Sequence, residues 1–124
     1  MLTIDEKRFF INTAKLSSGR SSCNIKSGAV LTRGTRLLST GYGRKLLKDF
    51  EISAIYDAIF QARDNDLTEG TLFSTYFPDK DDLKLIIATG ISEIYFFGAV
   101  NPETTILINN LTKEGIPLRL IQLK

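Results

Sequence analysis

Few side chains in this sequence can bind a transition metal or activate a nucleophile. The chain has no histidine and a single cysteine, Cys23, in 124 residues. A disulfide needs two thiols, so none forms within the chain. A Cys/His zinc centre built within one chain is excluded. A serine or cysteine nucleophile activated by histidine is excluded for the same reason. What remains for chemistry is mainly oxygen. The densest acidic group is Asp79-Lys80-Asp81-Asp82, at the head of a predicted helix. Carboxylates three residues apart in a first turn accept free backbone N–H groups and complement the helix dipole, worth about 1 kcal/mol. The competing reading gives their oxygens to a hard ion such as magnesium. Two carboxylates make an incomplete ligand set, so capping is the stronger reading. Arg44-Lys45-Leu46-Leu47-Lys48 is a short basic stretch, read first as a solvated loop and second as a contact for phosphate or RNA. Cys23 reads as a small, semi-buried packing residue.

Composition narrows the setting. Hydrophobic residues make up 43% and charged residues 24%, as in ordinary globular domains. The net charge of +2 gives no composition-level case for nucleic-acid binding. The length suits one domain, 1–124. The longest apolar run, Ile94 to Val100, falls far short of the roughly eighteen residues of a membrane span. The first residues lack the basic-then-apolar layout of a signal peptide. A soluble, cytoplasmic protein is expected, and a lone thiol suits a reducing compartment.

The elements that must position these residues follow from periodicity. Ile4 to Leu16 reads as an amphipathic helix, opened by a capping box of Thr3 and Glu6. Lys26 to Thr32 and Arg36 to Thr40 read as a hairpin about Arg33-Gly34-Thr35. Asp49 to Arg63 reads as a helix with Asp49 as its N-cap and Ile52, Ile55, Tyr56, Ile59, Phe60 and Ala62 on its buried side. Thr71 to Phe77 is a predicted strand stopped by Pro78, and Asp79 to Thr89 a helix closed by Gly90. Glu93 to Phe97 is an apolar strand, Pro102 to Glu114 a helix, and Pro117 to Leu123 a last strand. Strands joined by helices favour parallel pairing with right-handed crossovers. The predicted fold is therefore an α/β, three-layer α/β/α domain on a mixed five-stranded sheet.

The words inside those elements resemble the cytidine and deoxycytidylate deaminase superfamily over nearly the whole chain. Ser21-Ser22-Cys23-Asn24-Ile25-Lys26-Ser27-Gly28-Ala29-Val30 resembles S-x-C-x-x-x-x-G-A-V ahead of the first strand. Thr40-Gly41-Tyr42-Gly43 resembles T-G-Y-N, and Ala54 with Asp57-Ala58-Ile59 sits where the family writes H-A-E-x-N-A-I. Leu72-Phe73-Ser74-Thr75-Tyr76-Phe77-Pro78 resembles the strand leading into P-C-x-x-C, and Leu85 to Ile91 the helix that follows. Phe97-Gly98-Ala99-Val100-Asn101-Pro102 resembles F-G-A-x-D-P of the tRNA adenosine deaminase branch. No single word is specific; six in order on the right elements are.

The resemblance implies a His and two Cys holding zinc, with a Glu two residues after the His shuttling protons. Matched position by position, the His place holds Ser53, the Glu place Ile55, and the Cys places Asp79 and Asp82. The Asn that ends T-G-Y-N is Gly43; with Asn24, Ser53 and Tyr76 it marks the implied substrate pocket. Ile55 has no ionisable group, so no proton passes there. The expectation is a pseudoenzyme with no catalytic residue, no zinc and no other cofactor. Ile55 fills the old carboxylate volume, and Ser53 is a small packing residue. Glu51, the nearest carboxylate before Ile55, would stand about one helical turn, roughly 5 Å, from the family position. One alternative is a hydrolase with a non-zinc ion on Asp79 and Asp82, aided by Glu51. Another is a nucleotide- or nucleic-acid-binding module, which Gly43 weakens. The family assembles through helices near the active site, and a degenerate subunit supports an active one in the eukaryotic tRNA enzyme. The resemblance thus implies a homo-oligomer, or a hetero-oligomer with an active deaminase paralogue.

Overall fold

A computed structural model describes residues 2–22, 26–47, 50–62, 65–116 and 118–123. Helix α1 (Ile4–Ser18) is followed by strands β1 (Gly28–Arg33), β2 (Arg36–Tyr42), β3 (Arg44–Leu47) and β4 (Phe50–Ile52). Then come α2 (Ala54–Gln61), β5 (Thr71–Ser74), α3 (Lys80–Thr89), β6 (Glu93–Phe96), α4 (Pro102–Lys113) and β7 (Arg119–Gln122). The main sheet has five strands in the order β2-β1-β5-β6-β7. Strand β1 runs antiparallel to both β2 and β5, while β5, β6 and β7 are parallel and joined through α3 and α4. This is the mixed sheet that the sequence predicts.

Side chains alternate across a strand, so each register row belongs to one face of the sheet. Val30, Phe73, Tyr95 and Ile121 form one row across four strands. They pack against Phe10, Ile11 and Ala14 of α1. The neighbouring row of Leu31, Leu72, Ile94 and Leu120 faces the other way. It meets Ala54, Ile55, Ala58 and Ile59 of α2, Leu83 and Ile86 of α3, and Ile108 of α4. The layers are therefore α1, sheet, and α2–α3–α4. Among the described residues, no helix is long and apolar enough to cross a membrane.

Local chemistry sets the ends. The Thr3 hydroxyl accepts from the Glu6 N–H at 3.1 Å and the Glu6 carboxylate from the Thr3 N–H at 2.8 Å, the expected capping box. Gly90 closes α3 in the left-handed region at φ 82°. Gly41 matters through close approach. A Cβ there would lie 2.4 Å from the Ala58 nitrogen and 2.5 Å from the Ala54 oxygen, because α2 rests directly on β2.

The helix expected over Asp49 to Arg63 is the main correction. It starts at Ala54, with Ser53 as its N-cap, and ends at Gln61. Phe50–Ile52 instead pairs antiparallel with Arg44–Leu47 in a separate two-stranded sheet. The stretch from Arg44 to Leu47, expected as a loop, is a strand of that hairpin. Aromatic and β-branched residues such as Phe50 and Ile52 suit a strand, and the Ser53 hydroxyl supplies a cap that lets the helix begin after them. Asp49 and Arg63 themselves lie outside the described residues. Strand β5 ends at Ser74, short of the expected Phe77, where the Ser74 hydroxyl accepts from the Tyr76 N–H at 3.1 Å.

Candidate functional site

Two helix N-termini converge beside the end of β5. At α2, extended backbone at Ser53 places its hydroxyl to accept from the Tyr56 N–H at 3.0 Å. At α3, a carboxylate oxygen of Asp79 accepts from the Asp82 N–H at 2.8 Å, and Asp82 accepts from the Asp79 N–H at 3.3 Å. This reciprocal cap is the helix-start role expected of the two aspartates. The convergence also joins the helices: the Ser53 hydroxyl donates to Asp82 Oδ1 at 2.5 Å. Tyr76 comes from the segment between β5 and α3. Its hydroxyl donates to Asp82 Oδ2 at 3.0 Å and accepts from the Ile55 N–H at 3.3 Å.

Asp82 is thus the hub of the site, 2% exposed, and it accepts from two hydroxyls and one amide. Burial pushes its pKa up to about 6, against the lowering effect of the Ser53 hydroxyl; the Asp79 charge pushes the same way as burial. Burial and the Asp82 charge hold the Tyr76 phenol well above its ordinary value. Ile55 is fully buried in the same core cluster as Leu83 and Ile86.

Ser53, Tyr76, Asp79 and Asp82 are brought together, with Ile55 beside them. Ser53 is a cap and a bridge between helices rather than a packing residue; its position before a helix was hidden by the overlong helix prediction. Gly43 stands apart, buried, its N–H donating to the Ser27 carbonyl at 3.1 Å. Glu51 sits exposed on β4, not one helical turn before Ile55. Asn24 and Cys23 lie outside the described residues. One buried group was given no role of its own in the sequence reading. Asp57 of α2 pairs with Arg44 at 2.7 Å and accepts from the Tyr42 N–H at 3.2 Å. Its signal was a lone charged residue in the otherwise apolar Ala54–Gln61 helix.

The donor set does not fit the zinc that the resemblance implies. Ser53 is a neutral hydroxyl, and Asp79 and Asp82 already accept from amide and hydroxyl groups. Among the described residues, no three His, Cys, Asp or Glu are grouped so as to hold a metal ion.

A surface of mixed polar and apolar character opens from the site. A cleft of about 600 Å³ opens at the site between the β3–β4 hairpin and α3, where Ser53, Asp79 and Asp82 line it together with Glu51, Leu46 and Phe50. A second cleft of about 460 Å³ continues from Tyr56 and Leu85 past Phe60. Leu47 is 71% exposed and Phe50 60% exposed beside it.

No protein-family model matches the sequence, and no curated protein matches it significantly. Solved structures do. The dCMP deaminase of cyanophage S-TIM5, in complex with dCMP and dUMP, matches at a TM-score of 0.82 and 21% identity, over 99% of this chain and 100% of that one. A structure from work on A-to-I editing by tRNA:A34 deaminases at the wobble position matches at 0.74 and 17%, over 95% and 99% of the two chains. RibD of Acinetobacter baumannii matches at 0.75 and 12%, over 97% of this chain but 35% of its own length. What is shared at these identities is the fold, and it is the cytidine/deoxycytidylate deaminase fold that the sequence words indicate.

Proposed function

We propose that this chain is a deaminase-fold protein without the family's hydrolytic chemistry, working through assembly with a second copy or with an active deaminase subunit. The observation that carries the reading is the Ser53–Asp82–Tyr76 network. The positions that match zinc ligands in the family cap two helices and bond to one another. The position of the proton shuttle is the fully buried, unionisable Ile55. Deamination needs an activated water and a base that carries its proton to the leaving amine. No side chain at these positions does either. Assembly is supported by the exposed hydrophobic side chains Leu46, Leu47, Phe50, Tyr56 and Phe60 on and beside the clefts along α2 and α3. Contiguous exposed apolar surface of this kind marks interaction sites. The whole span 1–124 acts as one domain in this reading, needs no cofactor, and suits the cytoplasm, where a lone thiol stays reduced.

The test has two arms. Ammonia release is measured with dCMP, cytidine and adenosine as substrates, with metal content determined on protein purified without added metal. No turnover, and well under one equivalent of metal, is expected. Turnover of any of the three refutes the silent-enzyme reading. Light scattering then reports mass: a monomer at all concentrations, with no gain on adding a deaminase-fold partner, refutes the assembly reading.

A further inference from the structure

The two faces of the sheet are unequally covered. Helices α2, α3 and α4 pack on one face. Among the described residues, α1 is the only helix on the other; it packs mainly on β1, β2 and β5 and reaches β6 at Tyr95. Beyond Tyr95, the β6–β7 flank of that face has no helix over it among the described residues. Its apolar residues Phe97, Ile121 and Leu123 are only part-buried.

Two lysines of α1 reach across this flank. Lys7 Nζ stands 5.2 Å from the centre of the Tyr95 ring, and Lys15 Nζ 4.1 Å from that of Phe97. Among the described residues, neither ammonium has a carboxylate partner. The neighbouring Arg8 has only Asp5, at 3.9 Å, with both side chains largely exposed. Between α1 and the ends of the strands lies a groove of about 460 Å³, with Ile11, Phe97 and Leu123 among its lining. It is an apolar floor walled by three cations.

We infer that this groove docks an amphipathic helix of a partner protein, apolar on the side facing Phe97 and Leu123 and carboxylate-bearing along the edge facing Lys7 and Lys15. Charge complementarity selects the occupant. The wall is basic, and among the described residues no acidic one lines the groove. A helix suits the space because it continues the layer α1 already begins on this sheet face. The two lysines are eight residues apart, about 12 Å along α1, which a helix of two to three turns spans. A single-stranded nucleic acid fits less well, because base stacking needs open aromatic faces. Tyr95 is 4% exposed, and a lysine stands over each ring. The site lies on the face opposite the α2–α3 surface, so it stands or falls independently of the assembly proposed there.

The test is fluorescence anisotropy with a labelled 14-residue helical peptide carrying Leu on one face and Glu along its edge. A peptide of the same pattern with Lys for Glu is the control. Saturable binding of the acidic peptide is expected, weakened by added salt and by roughly tenfold in Lys7→Glu/Lys15→Glu, since each lost charge contact accounts for a few-fold. Asn12→Trp, which places an indole in the groove from an exposed position, abolishes it, while Lys113→Gln on α4 leaves it unchanged. Thermal melts of each variant confirm folding. Four results overturn the proposal: no saturable binding, equal binding of the basic peptide, retention by the double lysine variant, or tighter binding of a single-stranded RNA 12-mer than of the acidic peptide.

Discussion

At Asp82 the fold trades solvation for hydrogen bonds, and that fixes a pH dependence. Its folded pKa is raised from 3.8 to about 6, with burial the largest cause. A raised carboxylate pKa means that the folded state binds the proton more tightly than the unfolded chain. Its contribution to stability is therefore full below about pH 4 and is lost as pH rises through about 6. Asp82→Asn removes this titration. Urea unfolding at pH 3.5, 5 and 7 is expected to show wild type losing stability relative to the variant, on the order of 2–3 kcal/mol between the extremes. A difference that stays constant with pH defeats the assignment. Ile55→Glu tests the neighbouring position. It puts a carboxyl where the surroundings are Leu83 and Ile86, and is expected to cost about 3 kcal/mol without any gain of deamination. A thermal melt with the ammonia assay reads both effects.

At the scale of elements, the site is a junction between two helix starts. Ser53→Ala removes the N-cap of α2 and the bond to Asp82 together, and is expected to cost about 2 kcal/mol in denaturant unfolding. A loss under about 0.5 kcal/mol would mean that the hydroxyl bridges nothing of consequence. Gly41→Ala tests the seat of α2 on β2. The added Cβ would lie 2.4 Å from backbone that has no side chain to swing aside, so α2 must shift, and a loss of about 2 kcal/mol or more is expected. This junction was only partly legible in the sequence. The Asp79–Asp82 cap was readable because both partners lie in one turn. Ser53 was not, because period-3.6 apolar spacing from Ile52 to Phe60 runs straight through its position. What halted the helix was strand pairing of Phe50–Ile52 with Arg44–Leu47, a tertiary effect that helical periodicity does not report.

At the scale of the whole molecule, the two proposed contact surfaces lie on opposite faces of the sheet. Phe50→Ser on the α2–α3 side is expected to reduce the mass seen by light scattering and leave the melting temperature within a few degrees, because Phe50 is 60% exposed. Unchanged mass would move the assembly contact elsewhere. The aromatic pairs show how far sequence reaches here. Phe9-Phe10 and Phe96-Phe97 read from sequence as core, or for one member as an interface; Phe10 and Phe96 are buried, Phe9 is 62% exposed and Phe97 is part-buried.

The sequence by itself determined the order of the main elements, the five-stranded sheet and the residue types at the old zinc positions. These follow from local periodicity, capping chemistry and the absence of histidine, all of which act within a few residues. Only the tertiary structure decided what those residues do instead. Ser53, Tyr76 and Asp82 lie up to 29 residues apart, and their hydrogen bonds exist because α2 and α3 begin at the same place. The uneven cover of the sheet is equally non-local: which face α1 takes, and how much of it, depends on the register of strands far along the chain.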